Sequence, residues 1–275
     1  MEINLLSGAL GAEVTGIDLK DSSIENWNKI NTLLLEHKVL FFRDQKISAE
    51  EQLNLAKRFG PLEKHIYVKG RKEYPEIVRI IKEPDEKRQW GETWHTDVSY
   101  NPKPTKVIIL KSVEIPPVGG DTMFSNMELA YETLDDKIKD KIKDKKAVHS
   151  SLGAAAFTES YKAMEGNGNL DEYSNAHPIV RTHPENGKKI LFVNSMYTKR
   201  IEGLNKEESD EILNEIFRNQ ERLDFTCRFK WTKNAVAIWD NSSTHHQGLT
   251  DFFPGRGLGH RRVMDRIAIE GDNPN

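Results

Sequence analysis

Cysteine is almost missing from this sequence: Cys227 is the single one among 275 residues. An intrachain disulfide framework and a multi-cysteine zinc or iron–sulfur centre are thereby excluded. Long apolar runs are missing too. The best stretches, at 39–42 and 107–110, fall far short of the roughly 18 apolar residues of a membrane span. No charge sign dominates, because 40 Lys and Arg face 43 Asp and Glu for a net charge of −3. A nucleic-acid clamp wants a basic face, so neither nucleic acid nor a membrane is expected as a partner. The opening Met1, Glu2, Ile3 and Asn4 lack the basic and then apolar layout of a signal peptide, and a cytoplasmic location is expected. No internal repeat is visible. The length fits one domain over 1–275.

What is present is a series of short β candidates. Residues 77–81, 107–111, 122–124, 180–182, 190–193, 227–231 and 235–239 are separated by Gly, Pro and Asn turns. Helical spacing predicts helices at about 23–37, 127–143 and 206–219. Ser48 and Glu51 form a capping box that opens another helix, with Gly60 beyond its end. Strands outnumber helices, and there is no βα alternation. The fold class is therefore mainly β, a sandwich or barrel with flanking helices. Residues 150–176 are rich in Gly, Ala and Ser without a clear period, and a segment of that kind inside a compact domain suggests a lid.

Three stretches could carry chemistry. In Thr93-Trp94-His95-Thr96-Asp97 an imidazole and a carboxylate stand two apart, so an extended backbone points both to one face. Such a pair alone is weak and arises by chance. The second stretch, Trp239-Asp240-Asn241 followed by His245 and His246, leaves the apolar run 235–238 at a strand end. Two histidines and a carboxylate with open positions make the facial triad of non-haem Fe(II) oxygenases; a similar set holds Zn(II) in hydrolases. The plain alternative is a satisfied surface histidine pair. In the third stretch Arg262, Met264 and Arg266 alternate, so a strand aligns two guanidiniums on one face. Arg forks bind carboxylate, sulfonate or phosphate. The alternative is a solvated basic edge.

Taken in order, Trp94-His95-Thr96-Asp97, Gly119-Gly120-Asp121-Thr122, Trp239-Asp240-Asn241 with His246, and Arg261-Arg262-Val263-Met264-Asp265-Arg266 form a pattern. It resembles the taurine and chlorophenoxyacetate dioxygenase family of Fe(II)/2-oxoglutarate enzymes. The likeness extends to Val39-Leu40-Phe41-Phe42-Arg43-Asp44-Gln45, Arg58-Phe59-Gly60, Arg181-Thr182-His183-Pro184, Leu191-Phe192-Val193-Asn194 and Gly271-Asp272. The resemblance implies a double-stranded β-helix (jelly-roll) core. It implies His95, Asp97 and His246 as the catalytic metal ligands for Fe(II), with His246 in the slot seven residues past Trp239. Thr122 and Arg262 match the positions that hold the distal carboxylate of 2-oxoglutarate. Arg266 matches a substrate-sulfonate position, His65 a substrate-contacting histidine and Val98 a pocket wall.

The implied reaction consumes O2 and 2-oxoglutarate, releases succinate and CO2, and hydroxylates a small anionic molecule such as a sulfonate, sulfate ester or aryloxyacid. Hydroxylation beside a heteroatom leads to C–S, C–O or C–N cleavage. Relatives of this kind are often dimers or tetramers, so a homo-oligomer is expected. The pattern departs from the taurine enzyme at Gly91, where that enzyme has Asn, at Val68, where it has Tyr, and in a longer 246–262 loop. The departures put taurine in doubt and point to a larger, more apolar body. One rival is a Zn(II) hydrolase on the same triad, which leaves Thr122 and Arg262 without a role. Another is a non-catalytic barrel that binds a small acid. Trp94, Trp231, Trp239 and Cys227 read as core, His177 and His183 as structural, and His149 as a residue near the pocket.

Overall fold

The structure, a computed structural model, describes residues 1–21, 23–152, 164–252 and 254–274. The chain begins with β1 (Glu2–Leu5), β2 (Ala12–Thr15), α1 (Ile24–His37), β3 (Val39–Phe42), α2 (Ala49–Lys57), β4 (Leu62–Glu63) and β5 (Val78–Lys82). Next come β6 (Val107–Glu114), β7 (Thr122–Asn126), α3 (Met127–Glu132), α4 (Asp136–Ile142) and β8 (Lys146–Ser150). The remainder holds β9 (Ser174–Pro178), β10 (Val180–Thr182), β11 (Lys189–Leu191) and β12 (Thr198–Ile201). It closes with α5 (Lys206–Gln220), β13 (Thr226–Phe229), β14 (Val236–Asp240), β15 (Thr244–Gly248) and β16 (Arg262–Ile269).

Side-chain alternation explains the layers. In the eight-stranded sheet, ordered β1-β2-β3-β14-β6-β16-β4 with β5 also on β16, both faces of the central strands are buried. Val39, Phe41, Ile108, Leu110, Ala237, Trp239, Met264 and Ala268 face inward and pack with Phe124, Cys227, Phe229 and Trp231 of the smaller sheet β13-β7-β15. Leu40, Phe42, Ile109, Val236, Ile238, Ile267 and Ile269 face outward, under Ile30, Leu33 and Leu34 of α1 and Leu53, Leu55 and Ala56 of α2. Strands covered on both faces read as unbroken apolar runs, and this is why 39–42 and 235–239 stand out as apolar stretches in the sequence. The two facing sheets are the expected double-stranded β-helix core, mainly β with flanking helices.

The structure differs from the sequence expectation in several places. The helix expected over 127–143 is two helices: Asn126 caps α3, and the Asp135 side chain accepts from Lys137 N to start α4. Strands β1, β4, β8, β9, β12 and β15 were not foreseen. β9 reads Ser-Asn-Ala-His-Pro and β15 reads Thr-His-His-Gln-Gly, so neither carries an apolar pattern. Residues 153–163 of the expected lid lie outside the described residues. Among the described residues, no helix is long and apolar enough to cross a membrane.

Candidate active site

Alternation on β15 separates the histidine doublet. His246 is paired with Phe124 and Gly248 with Thr122, on the inward face, whereas His245 is paired with Ser125 on the other. The backbones of His95 and His246 exchange N–H···O=C bonds of 3.1 and 2.9 Å, an isolated bridge that brings the two imidazoles together. His95 Nε2 lies 3.5 Å from Asp97 Oδ1, and His246 Nε2 lies 3.7 Å from Asp97 Oδ2. One ligand atom from each residue falls within 4.8 Å of the others. His95 Nδ1 lies 2.6 Å from the Thr93 carbonyl, so Nδ1 carries the proton and the Nε2 lone pair faces the group.

Burial alone would raise the Asp97 carboxyl. The Arg266 guanidinium and the two histidines outweigh it and hold Asp97 well below the usual carboxylate range. Burial, and then the repulsion that a protonated His95 would exert, hold His246 well below the ordinary imidazole value. A neutral imidazole donor and an ionised carboxylate are the states a metal requires. The donor set, its spacing and the oriented tautomer of His95 therefore fit a divalent metal.

The extended stretch expected at 95–97 is only partly extended. His95 forms the bridge, Asp97 opens a turn, and Val98 sits at φ 44. Asn241 ties this turn to the end of β14. Its Oδ1 accepts from Asp97 N at 3.2 Å, and its Nδ2 donates to the Thr105 carbonyl at 2.8 Å. Asp240 fixes the β14–β15 turn by accepting from Ser242 N at 3.0 Å and from the His183 Nε2 side at 2.8 Å. Trp239 lines the cavity, 4.8 Å from the His246 ring, and its indole N–H has no hydrogen-bond partner among the described residues. The Trp-Asp-Asn motif thus supplies a pocket wall, an anchor and a clamp.

One cavity is shared by His95, Asp97, His246, Thr122, Arg262 and Arg266, with Ile80, Trp90, Leu110, Met196, Tyr197 and Trp239 also facing it. Arg262 is buried and donates through Nε to the Gly120 carbonyl at 3.2 Å. Burial lowers its pKa to about 10 against the nearby Asp121 charge. Among the described residues it makes no ion pair. Thr122 Oγ1 accepts from Trp231 Nε1 at 2.9 Å, which leaves its hydroxyl hydrogen free to donate. Arg266 is engaged instead, with Nη2 at 3.1 Å and Nε at 3.3 Å from Asp97 Oδ2.

The other expected substrate residues divide. His65, expected to contact substrate, does not line the cavity: it stands behind Trp90, which does, at 5.3 Å between ring centres, and its Nδ1 accepts from the backbone N–H groups of Tyr67 and Val68, each at 3.1 Å. Desolvation, then the Arg266 charge, lowers its pKa to about 3. Val98 and Val68 are buried in a cluster with Tyr67, Val78, Tyr100 and Met164 and do not line the cavity. Gly91 does line it. A Cβ there would approach His95 Cε1 to 3.2 Å, so the missing side chain keeps space open beside the triad. Trp231 and Trp239 were read as core alone; they are core, and they also touch the site. Met196 and Tyr197 gave no sequence signal, although Asn194 just before them did and holds Tyr197 N through its Oδ1 at 2.8 Å.

A jelly-roll core with a two-histidine, one-carboxylate group and a buried arginine in the same cavity defines the class of metal-dependent enzymes that take an acid cosubstrate. Residues 2–267 match the family model described as taurine catabolism dioxygenase TauD, TfdA family, and the chain belongs to this family. It is an alpha-ketoglutarate-dependent (2-oxoglutarate-dependent) dioxygenase. The chain is 34% identical to an alkylsulfatase of Acinetobacter baylyi over 99% of this chain and 86% of that protein. It is 30% identical to an (S)-phenoxypropionate/alpha-ketoglutarate-dioxygenase of Sphingobium herbicidovorans, over 98% of this chain and 96% of that protein. A solved taurine dioxygenase from Burkholderia xenovorans superimposes with a TM-score of 0.83 at 32% identity, covering 99% of this chain and 92% of that one.

Proposed function

We propose that this chain is an Fe(II)-dependent enzyme that hydroxylates an organic anion with an apolar body, a sulfate ester or aryloxyacid in preference to taurine. His95, Asp97 and His246 would hold the iron. With 2-oxoglutarate and dioxygen bound there, the site supplies oxidative decarboxylation coupled to C–H hydroxylation. The observation that carries the reading is the composition of one cavity: the triad, a buried Thr122–Arg262 pair, a second guanidinium at Arg266, and otherwise apolar walls.

Each residue has a task. Arg262 forms a charge-assisted bond to the distal carboxylate of 2-oxoglutarate, and the Thr122 hydroxyl donates to the same group. Trp231 fixes the direction of that hydroxyl. Arg266 meets the substrate's anionic head, with His65 as a neutral neighbour. Ile80, Trp90, Leu110 and Met196 exclude water from the reacting C–H and seat an apolar body. The space at Gly91 admits more bulk than a side chain would leave. The named activities of the alkylsulfatase and the phenoxypropionate enzyme support this choice of substrate class. A homo-oligomer, dimer or tetramer, and a single domain over 1–275 complete the proposal.

The test is succinate release from anaerobically Fe(II)-loaded protein, screened over alkyl sulfates, aryloxyacids, sulfonates and taurine. Iron-dependent turnover that is fastest on a bulky anion is the expected outcome. Cleavage of the substrate itself by Zn(II)-loaded protein without 2-oxoglutarate, read as alcohol or sulfate released, would favour the hydrolase instead. Taurine outperforming every bulkier anion would overturn the substrate class.

A further inference from the structure

The turn that carries Asp97 is held from behind by residues that do not themselves line the cavity. Val98, directly after the metal-binding carboxylate, has φ 44. A β-branched side chain in the left-handed region is an outlier that persists only where the surroundings impose it. The surroundings here are the three-stranded sheet β12-β8-β9. His149 at the end of β8 is fully buried, and its Nδ1 lies 3.0 Å from Ser99 Oγ. Asn175 of β9, paired in register with His149, donates through Nδ2 to the Tyr100 carbonyl at 2.6 Å. His177 of β9 places Nε2 2.9 Å from the Asn101 carbonyl. Asn194 adds a fourth tie, donating through Nδ2 to Ser99 Oγ at 3.0 Å. Three consecutive residues of the turn, Ser99, Tyr100 and Asn101, are thus each bonded to this strap.

We propose that His149, Asn175, His177 and Asn194 are positioning residues that force Val98 into its left-handed conformation, and so aim the Asp97 carboxylate at the metal. None of the four lines the cavity. The strap acts on Asp97 through Ser99 and the backbone, as outer partners of a ligand do in metal sites generally. His149 suits a fixed strut. Burial, and then the neighbouring His177, lowers its pKa to about 3, so it stays neutral. Its ring packs 5.6 Å from His177 and 5.7 Å from Phe192. The strap leaves Arg262 and Thr122 untouched, because they stand on β16 and β7.

This inference rests on His95, Asp97 and His246 being the metal ligands, and Co(II) binding separates the two. Co(II) affinity is read anaerobically from ligand-field absorption, with thermal unfolding as the check on folding. Loss of binding in His246→Ala upholds the triad by itself. Ser99→Ala is expected to weaken Co(II) about 10–100-fold, while 2-oxoglutarate affinity of the Co(II)-saturated protein changes less than about threefold. Asn175→Ala, at a half-buried position, is the second variant if Ser99→Ala does not fold, with the same expected direction. Val98→Gly makes the left-handed conformation free of steric cost. Added to either variant, it should recover much of the lost Co(II) affinity. Folded strap variants that bind Co(II) within about threefold of wild type overturn the proposal. A loss that Val98→Gly does not relieve also overturns it, because the strap would then support the fold without aiming the carboxylate.

Discussion

The two ends of the cavity are built from the same residue on the same strand, and they are in different states. Arg262 and Arg266 stand four apart on one face of β16 and line one cavity. Arg262 is buried against a carbonyl and has no ion pair among the described residues. Arg266 lies on Asp97 Oδ2 at 3.1 Å. A buried guanidinium without an anion is costly, and the cost is returned when an anion arrives. In the proposed function the Arg262 end is a preformed acid site. The Arg266 end is shared with a metal ligand, so its readiness for a second anion depends on what holds Asp97. Chemistry that must load a cosubstrate before a substrate is served by this asymmetry.

The largest expected effect comes from removing the group between the two ends. His246→Ala should abolish both divalent-metal binding and iron-dependent turnover, measured by Co(II) titration and succinate release. His245→Ala, on the opposite face of β15, should keep most metal binding and lose about 1–3 kcal/mol of stability as a buried truncation. Equal loss of metal from both would mean that strand alternation does not decide the ligand. Next in size is Arg262→Ala. Removing one partner of a buried charge pair costs about 3–5 kcal/mol, so 2-oxoglutarate affinity should fall by roughly two to four orders of magnitude. An unchanged affinity, by tryptophan-quenching titration of the metal-loaded protein, would show that the bare guanidinium is not the cosubstrate site.

Arg266→Ala should be smaller and of a different kind. The apparent KM of an alkyl sulfate should rise by about 10–100-fold, as for loss of one charge-assisted bond of about 1.5–3 kcal/mol. Uncoupled 2-oxoglutarate decarboxylation should stay near the wild-type rate. If decarboxylation collapses as well, Arg266 serves Asp97 more than it serves the substrate, and the two ends are less distinct than the cavity suggests. Two other carboxylates close to Arg266 in the sequence or the site, Asp265 and Asp240, are not its partners. Asp265 is taken by Arg79 at 2.7 Å and Asp240 by His183 at 2.8 Å, and the partner is Asp97.

The same contrast marks what could be read without coordinates. The alignment of Arg262 and Arg266 follows from spacing, because a period of two on a strand sends residues to one face, whereas His95, Asp97 and His246 were legible as a group only through the family resemblance, since Asp97 lies in a turn and not on a strand. The central strands follow as well, because burial on both faces leaves a run of Val, Ile, Leu and Phe. Strands that carry function hide themselves. β15 spends its inward positions on His246 and Gly248, and β9 holds Asn175 and His177 against the Asp97 turn, so neither keeps an apolar period. The break between α3 and α4 was written in Asp135 and Asp136, which can cap a helix as well as solvate one. The resemblance singled out Val98 as a pocket wall, but its left-handed backbone could not have been found, because it has no composition signal and exists only through contacts distant in the chain.

The smallest expected effect tests how finely the Arg262 end is made. Trp231 and Thr122 are both buried, and the indole N–H donates to Thr122 Oγ1 at 2.9 Å. With that lone pair occupied, the hydroxyl has one proton and a reduced choice of directions, and 2-oxoglutarate bound as proposed would supply the acceptor. Trp231→Phe keeps an aromatic ring against Phe229, whose centroid is 5.1 Å away, and removes the donor. Thr122 then loses one neutral hydrogen bond of about 0.5–1.5 kcal/mol. The apparent KM for 2-oxoglutarate should therefore rise about 2–10-fold, with kcat and substrate KM nearly unchanged. A rise confined to the substrate KM would place Trp231 at the Arg266 end instead. No change at all, with Thr122→Val still costing cosubstrate affinity, would mean that Thr122 finds its direction from the bound carboxylate and needs no partner to hold it.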